Sequence, residues 1–117
     1  RMTDQQNRHT DYVELMLNAA TQARTYTDGL SKADFLDDAK TQDAVIMKLL
    51  VIGELAARLL EEHQEFTCKH PEIPWQQMKG MRNRMAHGYF DLNMDVVWDT
   101  AQLALPDLET NLRAIEG

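Results

Sequence analysis

Residues 40–66 read KTQDAVIMKLLVIGELAARLLEEHQEF, the longest segment of continuous helical patterning in the chain. Ala44, Val45, Met47, Leu49, Ile52, Leu55, Ala56, Leu59 and Leu60 recur there every three to four residues. That spacing predicts one long helix with a broad apolar face, the helix around which others pack. Gly53 in its middle costs roughly 1 kcal/mol relative to alanine, so a neighbouring helix is expected to cross closely at that point. Towards the N-terminus, Val13, Leu17, Ala20 and Ala23 mark a first helix that Asp28-Gly29 stops. Ser31-x-x-Asp34 has the form of a capping box for a short helix ending near Leu36. Towards the C-terminus, Pro74-Trp75 begins a helix, expected to break or bend near Gly80 and to end at Gly88. Asn93 is a candidate N-cap for the last helix, which carries Val96, Val97, Ala101, Leu105, Leu108, Leu112 and Ile115. Pro106 should kink that helix. No strand-like alternation of useful length occurs. The fold class is therefore all-α, an antiparallel bundle of four main helices with one or two short ones.

A chain of 117 residues with 44% hydrophobic and 26% charged residues suits one domain over residues 1–117. No stretch reaches the roughly 20 apolar residues needed to span a bilayer, and the first twenty residues are too polar for a secretion signal. A single cysteine, Cys68, leaves no internal disulfide and is compatible with a reducing compartment. A soluble, cytoplasmic protein without membrane attachment is expected. Arg1, ahead of the first methionine, enters no part of the reading. The net charge of −7 argues against a protein that coats nucleic acid by bulk electrostatics. Yet residues 69–88 (KHPEIPWQQMKGMRNRMAHG) carry +3, leaving −10 for everything else. A small cationic site on an acidic body suits one or a few phosphates better than a long duplex.

Within that segment, residues 81–90 (MRNRMAHGYF) place His87 among arginines at a helix end, beside a glycine and a tyrosine. A neutral imidazole can take and return protons near pH 7, and a guanidinium can hold phosphate oxygens as charge builds on them. These are the side chains that phosphodiester cleavage without a metal requires. Helical geometry sets a limit, because Arg82 and His87 lie about 140° apart around a helix axis. Either the helix unwinds, or a second chain completes the site across a two-fold dimer. Asn83 shares a face with His87 at i and i+4, so its amide is placed to orient the imidazole. Glu54, inside an apolar segment, needs a partner such as Arg82 and is expected to orient the site. On spacing alone, an ordinary ion pair for Arg82 and a plain helix terminus for His87 remain open.

Residues 82–89 (RNRMAHGY) resemble the Arg-x4-His-x-Tyr signature of HepT-like toxins, within the HEPN superfamily of helical ribonucleases. The resemblance extends from about Asp11 to Leu112. It includes Asp43-Ala44-Val45, Ile52-Gly53-Glu54, Pro71-Glu72-Ile73-Pro74-Trp75 and Val97-Trp98 followed by Leu105-Pro106. It implies a HEPN-like bundle and a metal-independent, cofactor-free endoribonuclease. Arg82 and His87 would be the catalytic pair, with Asn83 in the polar position after the arginine. The resemblance further implies a homodimer, RNA as substrate, and a minimal nucleotidyltransferase antitoxin that adenylylates Tyr89. The alternative is a helical binding module that holds a nucleotide or a partner and cleaves nothing. Arg84 has no role by resemblance and reads as a surface residue.

Three further features read as structural. His63, Cys68 and His70 do not have a usual zinc spacing. Trp75 and Trp98 are expected to anchor packing rather than stack on bases. The seven methionines are expected to fill gaps in the core or at an interface.

Overall fold

Helix α3 (Ala39–Glu62) is the axis of the structure, a computed structural model that describes the backbone of residues 2–116 and the side chains of residues 8–115. Arg1 lies outside the described residues. Asp38 caps α3, its carboxylate accepting from the Thr41 amide at 3.1 Å, which satisfies one of the amides that a helix start leaves unpaired. Val45, Ile46, Leu49, Ile52, Leu55, Ala56 and Leu59 are all buried along it. Helix α1 (Met2–Thr27) packs on one side with Val13, Met16, Ala19, Ala20 and Ala23 buried. Gly29, at φ +79°, then turns the chain through the left-handed region. Helix α2 (Lys32–Leu36) carries both bonds of the Ser31/Asp34 capping box.

Helix α5 (Trp75–His87) packs on the other side of α3, burying Trp75, Met78 and Met85. A Cβ on Gly53 would lie 2.3 Å from the Arg82 Cβ and 2.7 Å from the Met78 carbonyl oxygen. The close crossing expected at Gly53 is therefore the contact that seats α5. The chain closes with helix α6 (Met94–Asp99), a π-helical segment over Thr100–Ala104, and helix α7 (Leu105–Glu116) against α1. Glu109 of α7 is buried and pairs with Arg24 of α1. No strand occurs among the described residues, and no helix among them is long and apolar enough to cross a membrane. The all-α bundle is as the apolar spacing predicts.

Three local expectations fail. Residues 40–66 are not one helix: His63 leaves helical geometry, and the short helix α4 (Gln64–Lys69) follows. The redirection brings Phe66 into ring contact with His9, His70 and Trp75. Met47 is exposed, because it sits off the arc defined by Val45, Ile46, Leu49 and Ile52. Helix α5 is unbroken at Gly80, since Met78 and Met85 on either side anchor it to the core. The irregularity expected of Pro106 falls just ahead of it. The π turn ahead of it, closed by the Leu105 amide on the Thr100 carbonyl, absorbs the irregularity that a missing proline N–H creates.

Candidate active site

Arg82 owes its position to Gly53. With no side chain at residue 53, the arginine Cβ rests on the α3 backbone and its guanidinium reaches Glu54 Oε1 at 2.7 Å. The Glu54 carboxylate also accepts from Arg58 Nε at 3.2 Å, one turn along α3. It therefore bridges two guanidinium groups. Arg82 is only one-quarter exposed, and its Nε is buried with no hydrogen-bond partner among the described residues. A donor left unmatched in that way is costly unless a ligand or water accepts it. The ion pair expected of Glu54 is thus present.

His87 ends α5, where the Gly88 amide donates to the Arg84 carbonyl at 2.7 Å and closes the last turn. Its ring is exposed and has no hydrogen-bond or ion-pair partner among the described residues. Asn83 is exposed too, and no hydrogen bond joins it to His87. Because α5 is regular from Trp75 to His87, the helix does not unwind between Arg82 and His87. The two side chains stay about 140° apart around the axis. Arg82 lines grooves against α3 with Glu54, Leu50 and Val51, whereas His87 lines a cleft of about 500 Å³ against α6. One chain does not bring them onto one phosphate.

A 3-10 turn over Tyr89–Asp91 follows Gly88. The Tyr89 hydroxyl donates to Asp43 Oδ1 at 2.7 Å, and the ring is half exposed. The hydrogen bond to the Asp43 carboxylate, ahead of desolvation and that charge, raises the Tyr89 pKa above its ordinary value. Helix α3 therefore braces the segment twice, at Asp43 and, about three turns on, at Glu54. The sequence marks Asp43 only within the Asp43-Ala44-Val45 resemblance and gives it no part in the site, because its contact with Tyr89 spans 46 positions. Arg84, read as a surface residue, lines the His87 cleft together with Asp91 and Asn93. The remaining candidates are structural. Trp75 is buried and its Nε1 donates to the His70 carbonyl, and Trp98 packs on Phe35. His70 pairs with Glu72, and no group of three potential metal ligands gathers among the described residues.

The sequence profile of the family described as "Ribonuclease HepT-like" matches residues 16–115. The fold and that match together define the class: a helical ribonuclease. The chain belongs to the ribonuclease HepT-like family. It is 38% identical over 101 residues to a Thermococcus cleftensis protein named "Probable ribonuclease HepT", covering 86% of this chain and 89% of that protein. It is 36% identical over 96 residues to a Methanocaldococcus jannaschii protein named "Putative RNase", covering 79% and 77%. A Caldanaerobacter subterraneus protein of the same description is 32% identical over 104 residues, covering 89% and 90%. No solved structure matches the chain.

Proposed function

We propose that residues 1–117 form one domain acting as a metal-independent endoribonuclease toxin, with Arg82 and His87 meeting across the interface of a homodimer. The observation that carries this reading is the pairing of a braced guanidinium with an uncommitted imidazole. Glu54 holds Arg82 through a terminal guanidinium nitrogen, while His87 is exposed and has no hydrogen-bond or ion-pair partner among the described residues. In the reaction, His87 takes the proton of an RNA 2′-hydroxyl as its oxygen forms a bond to the adjacent phosphorus. The bond from phosphorus to the 5′-oxygen breaks, and that oxygen receives a proton. The products are a 2′,3′-cyclic phosphate and a 5′-hydroxyl. Arg82 stabilises the charge on the non-bridging oxygens. Asn83 and Glu54 support the pair, and the relatives' names agree with the substrate.

Tyr89 is the proposed switch. A nucleotidyltransferase antitoxin would transfer an adenylyl group from ATP to the tyrosine oxygen, releasing pyrophosphate. The half-exposed ring supports access, and a phosphate two positions from His87 would oppose the site's positive charge. The test is cleavage of RNA by the purified protein in a chelator, beside Arg82→Ala and His87→Ala. Cleavage ending in cyclic phosphates, lost in both variants, is expected. Equal survival of RNA with all three proteins, once intact mass shows Tyr89 unmodified, overturns the enzymatic reading. It leaves the binding-module alternative.

A further inference from the structure

We propose that the cleft beside His87 is a nucleobase subsite that selects guanine in single-stranded RNA, with Asp91 as the residue that reads it. The proposal rests on the ribonuclease reading and gives a ligand to Arg84, Asp91 and Asn93, which that reading leaves idle.

The cleft measures about 500 Å³, within the roughly 300–1,000 Å³ usual for small-molecule sites. Its walls are apolar where they are deep. Met85 and Val97 are buried at 3% and 2% exposure, and Met81 and Leu92 are partly buried beside them. A flat base gains most from such walls, and methionine sulfur packs well on aromatic faces. Of the polar side chains that line the same cleft, Arg84, His87, Asp91 and Asn93 are exposed, whereas the half-buried Thr100 hydroxyl is spent on the Val96 carbonyl. That division of apolar depth and polar rim fits a nucleotide, whose base is flat and whose phosphate is charged.

The rim chemistry narrows the base. The Asp91 carboxylate has no hydrogen-bond or ion-pair partner among the described residues, and it offers only acceptors. Guanine alone among the four RNA bases presents two donors side by side, N1–H and N2–H, for a carboxylate to accept. Asn93 Oδ1 is turned to the backbone, accepting from the Asp95 amide at 2.9 Å. Its NH2 is therefore left as the donor, and guanine O6 and N7 are acceptors. Arg84, unpaired among the described residues, is placed to hold a flanking phosphate through its planar fork. Because His87 lines the same cleft, a guanine seated there would lie beside the scissile linkage and set where the chain cuts.

The test is calorimetric titration of the intact protein with the 3′-monophosphates of guanosine, adenosine, cytidine and uridine. Guanosine is expected to bind about tenfold or more tightly than the others, the value of one good two-point base contact. Asp91→Asn should erase that preference, and Val96→Trp, a bulky ring at an exposed wall position, should abolish binding of all four. Equal affinities, no binding, or guanosine binding indifferent to both substitutions overturns the proposal. So does a Val96→Trp protein that binds all four nucleotides as before and changes only subunit association, since the second copy rather than a base would then fill the cleft. Cleavage of a mixed-sequence RNA separates this inference from the one beneath it. RNA cut without base preference overturns the subsite and leaves the ribonuclease reading. Guanosine preference in a protein that cuts no RNA supports the subsite and overturns that reading.

Discussion

Arg82 lies against α3 because residue 53 has no side chain, and this single absence positions the guanidinium over Glu54. Gly53→Ala would push a methyl into the Met78 carbonyl and the Arg82 Cβ. Overpacking against backbone costs about 3 kcal/mol, against roughly 1 kcal/mol gained by alanine in a helix. A net loss of about 2 kcal/mol is expected in chemical denaturation, with RNA cleavage falling further because Arg82 is displaced. Tyr89 supplies a second residue-scale outcome. Its pKa is raised by the hydrogen bond to Asp43, so folding favours the neutral phenol. The stability this contributes is complete below the ordinary tyrosine pKa and is lost as pH rises through the raised value. Asp43→Asn should move the Tyr89 titration down towards the ordinary value. Tyrosinate absorbance, with Tyr89→Phe subtracted, reads the shift; an unmoved titration contradicts the assigned cause.

Among the helices, α3 does most to place the site, since it supplies Asp43 and Glu54 to a segment 28 to 46 residues away. Helices α1 and α7 lie away from the motif and are joined by Arg24 and the buried Glu109. Removing one partner of a buried pair costs about 3–5 kcal/mol, reduced to about 1–3 here because Arg24 is nearly half exposed. Arg24→Met should lower the unfolding temperature accordingly while leaving RNA cleavage at moderate temperature unchanged. Loss of cleavage in a folded Arg24→Met protein would place this seam in the site's support. The π segment Thr100–Ala104 shows a limit of pattern reading. Proline inside an apolar repeat signals an irregularity, but whether it becomes a kink or a bulge depends on side chains elsewhere. Here Gln102 donates to the Thr27 hydroxyl at 2.9 Å.

For the whole molecule, the separation of Arg82 and His87 onto different grooves is the decisive feature. If two chains build each site, then Arg82→Ala and His87→Ala proteins, each inactive, should complement one another. Half of the randomly mixed dimers would hold one intact site of two, so about a quarter of normal cleavage is expected. No recovery after verified subunit exchange would show that each chain builds its own site. The bundle itself was legible in the amino acids, because apolar residues every three to four positions can only be buried on helices packed face to face. The Ser31 capping box and the Gly29 stop are equally local, resting on chemistry within a few residues, whereas the Arg82–Tyr89 motif was legible only through its resemblance to a family signature. Helix continuity at Gly80 and the break at His63 were not legible, since tertiary packing outweighs the small intrinsic preferences there. Nor were the Asp43–Tyr89 bond, the cleft shared by Arg84, Asp91 and Asn93, or the different grooves taken by the two motif side chains. Those depend on how α3, α5 and α6 lie against one another, and contacts between distant residues are settled by the close packing of the folded chain as a whole.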